Sequence, residues 1–199
     1  MSNIVVVVPM LFEQALVSSA ARGRAKVRQT GMGAKRSRAA AAALARENGD
    51  GVLVLGFCGG LDAHSVPGEV VVAEQVLTAA DEHDAVAPVA CADADALAAA
   101  IERSGLAART GSIVSVSRIA VGERRAQLLA GGALAVDMES AWLAAGAAGR
   151  PFAVVRVVLD SPSHELLRPG ALIGAMRASR ALRRVTATVL STWQPQRLR

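Results

Sequence analysis

Four carboxylates stand where apolar runs end. In Val136-Asp137-Met138-Glu139-Ser140, two acids flank Met138 at the close of an apolar run and the opening of a helix-forming one. Helix capping accounts for either acid taken singly, since anions favour helix N-termini, but it leaves Met138 unexplained. Strict strand alternation puts both acids on one face and Met138 on the other. Where a strand turns into a helix that alternation breaks, and Met138 and Glu139 can then line one pocket mouth. Asp160 closes Phe152-Ala153-Val154-Val155-Arg156-Val157-Val158-Leu159, a run otherwise too apolar to carry an acid. Burial favours the protonated carboxyl, which is the form a general acid needs near neutral pH. An Asx turn ahead of Pro162 is the competing reading. Glu13, in Pro9-Met10-Leu11-Phe12-Glu13, follows the first apolar run by one turn, where a solvated helix residue is the ordinary alternative.

Glycines mark two further strand ends. Thr30-Gly31-Met32-Gly33 precedes Ala34-Lys35, and Gly31 and Gly33 would let backbone N–H groups approach an anion or a ribose at a helix N-terminus. A tight strand-to-helix turn explains the same pair, and neither a GxGxxG nor a Walker pattern follows. In Gly56-Phe57-Cys58-Gly59-Gly60-Leu61-Asp62, three glycines within five positions imply a backbone that passes close to something, with a bulge or a turn as the alternative. Arg28 and Arg118 are candidate phosphate ligands, against surface ion pairs. Cys58 and Cys91, with three scattered histidines, show neither metal-ligand spacing nor a disulfide framework, so no metal is expected.

The elements that must position these residues follow from periodicity. Short β-branched runs at 4–9, 25–30, 51–57, 69–77, 110–116, 133–138 and 152–159 read as strands. Alanine-rich stretches at 34–47, 93–104, 123–129, 139–148 and about 170–193 read as helices, which gives an α/β protein with a largely parallel sheet. The runs at 51–57 and 152–159 are apolar at nearly every position, as strands covered on both faces are. Residues 78–92 and 160–170 read as loops. With 199 residues and no composition break, one domain over 1–193 is expected, with 194–199 as a frayed tail. The chain is 52% apolar, yet no apolar run reaches the roughly 18 residues of a membrane span. Met1–Met10 runs into Glu13 without a basic leader or cleavage site, which suggests a cytoplasmic protein.

The net charge of +5 is uneven: residues 150–199 hold nine Arg against two acids, and residues 22–38 hold seven cations and no acid. Nucleic-acid binding is not expected, because stacking platforms are scarce in a chain with no Tyr, two Trp and three Phe. Solvated helix faces, or affinity for phosphate or an anionic membrane surface, remain as uses for the excess.

Taken in order, Met10 with Glu13, TGMG (30–33), GFCGGLD (56–62), PGEVVVAE (67–74), VDMESAW (136–142) and FAVVRVVLD (152–160) resemble the nucleoside phosphorylase and nucleosidase family, which includes purine nucleoside phosphorylase, methylthioadenosine/S-adenosylhomocysteine nucleosidase and futalosine hydrolase. The match spans most of the chain, and VDMES with the late strand ending in Asp is its specific part. The resemblance implies a single-domain three-layer sandwich around a central mixed, largely parallel sheet. It also implies cleavage of the N-glycosidic bond of a purine nucleoside, adenine before others. No cofactor is implied, and phosphate is a candidate co-substrate. Asp160 then matches the acid that protonates N7 of the base, Glu139 the ribose ligand, and Glu13 the acid near the attacking water. Met138 matches a residue under the ribose; Phe57, Cys58, Gly59 and Val136 fall around the base and nucleophile, and Ile119 stands where some nucleosidases stack an aromatic. Residues 115–140 look most like the hopanoid-associated phosphorylase branch, which implies adenosyl-hopane as substrate and peripheral contact with a membrane surface. Futalosine or methylthioadenosine hydrolysis, and a catalytically silent nucleoside-binding protein, are the alternatives. A homo-oligomer is expected by the same resemblance. Family members often carry Ser where this chain has Phe57, and Ser before the acid where it has Leu159. Both changes bear on phosphate binding and on orientation of the acid.

Overall fold

The apolar runs become strands whose side chains alternate between two helix-covered faces. A computed structural model describes residues 3–164 and 171–195. Strand β1 (Ile4–Val8) lies parallel to β2 (Lys26–Gln29) on one edge and to β3 (Gly51–Gly60) on the other. β3 runs parallel to β8 (Phe152–Asp160), and its last residues, Gly59 and Gly60, pair antiparallel with β7 (Ala133–Asp137). β8 pairs antiparallel with β4 (Val70–Thr78), β4 parallel with β6 (Ala108–Ser115), and β6 parallel with β7. Strands β3, β8, β4, β6 and β7 thus close a ring, with β1 and β2 extending one side and the two-residue β5 (Val89–Ala90) paired to β4. This is the expected mixed sheet, and its closure leaves few backbone groups of the central strands without a partner.

Alternation sorts the core. Ile4, Val6, Leu53, Leu55, Val155 and Val157 face one side, where α1 (Leu11–Ala21), α3 (Ala94–Arg103) and α6 (Ala171–Thr192) pack. Val5, Val7, Val52, Val54, Val154 and Val158 face the other, under α2 (Ala34–Leu44), the four-residue α5 (Ser140–Leu143) and a 3-10 turn at Ala144–Ala147. Each such fully buried Val or Leu contributes about 1.5–3 kcal/mol. On β8 the same period sends Arg156 to the α2/α5 side, fully buried. A short helix α4 (Glu123–Ala130) packs on β7. Among the described residues, no helix is long and apolar enough to cross a membrane.

Several elements differ from the sequence reading. The first helix, α1, has too weak an apolar periodicity to stand out. The glycine segment expected as a loop after the third strand is strand itself, carrying β3 through Gly60 with a register shift at Cys58/Gly59. That bulge supplies the irregularity that the glycines suggested. Part of the 78–92 loop pairs as β5, and the helix expected over 139–148 breaks into one turn and a 3-10 turn. Pro195 is buried and packs against Gly51, so the chain stays anchored beyond Gln194; the rest of the expected tail lies outside the described residues, as do 165–170 of the 160–170 loop.

Candidate active site

The ends of β1, β3, β6, β7 and β8 surround a cavity of about 260 Å³. Of the residues singled out in the sequence, Glu13, Phe57, Cys58, Gly59, Ile119, Val136, Met138, Glu139 and Asp160 all line it. Glu13 reaches it from the first turn of α1, where its side chain turns back over the end of β1. Its Oε2 accepts the N–H of Met10 at 2.8 Å and its Oε1 accepts that of Phe57 at 2.6 Å, so the carboxylate links α1 to β3. It is buried, not solvated, and burial raises its pKa, with Arg156 and the two backbone donors opposing.

Glu139 follows the bend at which β7 gives way to α5, so alternation breaks there and both Met138 and Glu139 line the cavity. Asp137 lies at the cavity wall with its carboxylate taken up by a buried cluster. Its Oδ1 accepts the hydroxyl of Ser115 at 2.6 Å and the N–H of Glu139 at 3.1 Å. Its Oδ2 accepts Arg156 Nη2 at 2.8 Å and the hydroxyl of Ser140. Burial alone would raise the pKa of Asp137, but Arg156 and the two hydroxyls outweigh it and hold the group below the usual carboxylate range. Arg156 Nη2 also donates to Glu139 Oε2 at 3.4 Å, and Glu139 Oε1 accepts the N–H of Gly33 at 3.1 Å. Burial pushes Glu139 up to about 7, with Asp137 and Glu13 adding to the rise and Arg156 opposing it. Arg156 Nη1 is buried and has no hydrogen-bond partner among the described residues. Gly56 explains how these groups fit: with φ +148°, a methyl there would sit 2.5 Å from Glu13 Oε1 and 2.6 Å from Arg156 Nη1. The glycine leaves room for the protein's own acid and base.

The other half of the cavity is apolar: Phe57, Cys58, Val136, Ile119 and Leu159 line it, with Ile119 75% exposed at the lip. Burial pushes the Cys58 thiol up, which keeps it neutral. Asp160 is not the isolated acid that its apolar strand suggests. Arg125 from α4 donates to its Oδ2 at 2.5 Å, and among the described residues no backbone N–H bonds its carboxylate as an Asx turn would.

The candidate anion ligands do not gather here. Arg28 pairs with Glu47 at 3.1 Å, which is the surface ion pair that was its alternative. Arg118 lines a neighbouring opening of about 510 Å³, where Asp81 and Asp84 are already paired to Arg124 and Arg38. Gly31 folds against the Arg36 side chain, outside the cavity, and the Gly33 N–H is occupied by Glu139 instead of an external anion. Arg125 and Arg156 were not anticipated. Arg156 carried a readable signal, a cation in a strand apolar on both faces, which demands buried counter-charges. Nothing in Glu123-Arg124-Arg125 distinguishes the buried arginine from its half-buried neighbour. Among the described residues, no cluster of three His, Cys, Asp or Glu side chains is arranged to hold a metal ion.

This convergence of carboxylates at one strand-end cavity agrees with the sequence profile of the Phosphorylase superfamily, which matches residues 12–190. The chain belongs to that superfamily. Membership carries the enzyme class, cleavage of a nucleoside N-glycosidic bond. A search of curated proteins gives no significant match. Similar solved structures include 5′-methylthioadenosine/S-adenosylhomocysteine nucleosidase from Neisseria meningitidis in complex with methylthio-immucillin-A, at TM-score 0.77 and 21% identity, covering 97% of this chain and 100% of that one. The corresponding nucleosidase from Colwellia psychrerythraea 34H, in complex with adenine, superposes at 0.77 with 18% identity over 99% and 97% of the two chains. Futalosine hydrolase of Helicobacter pylori gives 0.75 at 17% identity, with 96% of each chain covered. At these identities the likeness establishes the shared fold.

Proposed function

We propose that this superfamily member is a hydrolase of adenine nucleosides, with Asp160 as acid at the base, Glu139 at the ribose hydroxyls and Glu13 at the attacking water. One observation carries the reading: Glu13, Glu139 and Asp160 line one cavity, and the buried Arg156 lies behind it, beside Glu13 at Gly56 and bonded to Glu139. A water against Glu13 and Glu139 is polarised by their two carboxylates. A phosphate dianion would meet Glu13 and Glu139, while Arg125, the arginine that lines the cavity, is already paired with Asp160, Arg28 is held by Glu47, and Arg118 lines the neighbouring opening instead. Water is therefore the better nucleophile for this site.

The chemistry follows from the two halves. The C1′–N9 bond breaks with its electron pair passing to the base, while Asp160 gives its proton to N7. Positive charge develops on the ribose, next to the carboxylates. Water attacks C1′ and releases its proton to Glu13, whose raised pKa makes it a stronger base than an exposed glutamate. The adenine bound in the similar Colwellia psychrerythraea structure supports an adenine leaving group. The apolar lip supports a bulky hydrocarbon 5′ substituent such as that of adenosyl-hopane in hopanoid biosynthesis: Phe12 stacks on Phe57 and stands exposed with Met32 and Ile119. Peripheral membrane contact is part of the same reading, since α6 has no acid, exposes Leu172, Ile173 and Met176, and continues with exposed Arg177, Arg180 and Arg183. Each such cation near anionic lipid adds about 1 kcal/mol.

The test is base release from adenosine, methylthioadenosine, futalosine and an adenosyl-hopane analogue, with and without phosphate. Release that ignores phosphate and is fastest for the hopane analogue is expected. Absolute dependence on phosphate would overturn hydrolysis, and faster cleavage of methylthioadenosine or futalosine would overturn the hopane substrate.

A further inference from the structure

Asp160 is held by a residue from outside its own segment. Its neighbour in sequence, Leu159, offers no hydroxyl, and Arg125 is the sole described residue whose side chain bonds the Asp160 carboxylate. Arg125 is itself buried and tied down. Its Nε donates to the carbonyl of Ala120 at 2.9 Å, and its Nη1 to that of Gly60 at 3.4 Å. A methyl group at Gly59 would lie 3.1 Å from Arg125 Nη2 and 3.3 Å from Asp160 Oδ1, so the pair rests directly on the glycine bulge of β3. The guanidinium clamps Oδ2, while Oδ1 takes no hydrogen bond from any described residue and belongs to a side chain that lines the cavity.

We propose that Arg125 is the positioning residue for Asp160: it fixes which carboxylate oxygen meets the leaving base and stabilises the charge that appears when Asp160 gives up its proton. This rests on the reading of Asp160 as the acid. A general acid becomes a carboxylate as the C1′–N9 bond breaks, so a fixed cation on its other oxygen is worth more in the transition state than in the ground state. Arg125 also ties the strand-end loop carrying Ile119 and Ala120 to the acid, so the lip and the proton donor share one anchor.

A leaving group that departs without a proton separates this role from a structural one. Arg125→Met should lower kcat on adenosine by about 10- to 100-fold, with KM changed less, while kcat on p-nitrophenyl riboside stays within about threefold. Arg125→Lys should recover part of the loss. On adenosine, the double variant Arg125→Met/Asp160→Asn should be no slower than Asp160→Asn alone, because the two act as one unit. Equal losses on both substrates, or a double variant slower by the full product of the single effects, would overturn the proposal. If the wild-type protein cleaves neither substrate, the functional reading fails, and crystal structures decide the positioning role separately. In Arg125→Met, Asp160 Oδ1 should turn out of the cavity; an unmoved carboxylate would count against Arg125.

Discussion

The two ends of the cavity solve the problem of burying charge differently. Around Glu139, one arginine is shared among Asp137, Glu139 and the Ser140 hydroxyl in a buried cluster, and its counter-charges come from segments within twenty residues of it. Around Asp160, one arginine meets one carboxylate in a partly open apolar wall, and the partner comes from a helix 35 residues away. The first arrangement over-determines its geometry: removing any one partner leaves several others in place. The second has a single contact to lose. A ribose binding site that must keep its shape while positive charge develops fits the first, and a proton donor that must change charge in every turnover fits the second.

Breaking the closed cluster should cost most. Arg156→Met leaves Asp137 and Glu139 without their cation and should destabilise the protein by about 3–5 kcal/mol in urea unfolding, whereas Arg125→Met, whose partner retains some solvent, should cost clearly less. Equal losses would erase the distinction between the two ends. Next, Asp160→Asn should reduce kcat on an adenine nucleoside by about 100-fold or more with the unfolding midpoint little changed, and wild-type turnover would remove Asp160 from the chemistry.

The pH dependence sharpens the contrast further. Glu139 ionises in the folded protein only near pH 7, well above its usual value, so the folded state holds a proton that the unfolded chain has released. Its contribution to stability is therefore full below about pH 4.5 and is lost as pH rises towards 7. Glu139→Gln should accordingly gain in Tm relative to wild type as pH is raised from 5 to 8; a constant difference would mean that Glu139 is not perturbed. The smallest effect belongs to the lip: Ile119→Ser should raise KM for an apolar 5′-substituted nucleoside about fivefold and leave that for adenosine within about twofold, as expected for removal of one exposed apolar side chain that the 5′ group would cover.

Much of this was legible in the sequence because the chemistry sits on chain-local motifs. Glu139 and Asp160 terminate runs whose apolar character made an acid conspicuous, and the strands over 51–57 and 152–159 are where the pattern puts them. The misses share one physical cause. Glycines read as an opening for a ligand are instead the space for Glu13, Arg156 and Ser65, a fact that depends on which side chains lie across the sheet. Arg125 and Arg124 are alike in composition and neighbours, and only the docking of α4 against β7 buries one and leaves the other at the surface with Asp81. Gly33 makes the same point, since its donor is claimed by an acid 106 residues away.

The central claim is a single hollow in which an acid serves the base and a carboxylate pair serves the sugar. A crystal structure with an adenine-bearing iminoribitol tests it directly. N7 of the base should lie about 3 Å from Asp160 Oδ1, with the sugar hydroxyls on Glu139 and a water against Glu13. An adenine turned so that N7 faces away from Asp160, or a ligand seated in the neighbouring opening beside Arg118, would contradict it.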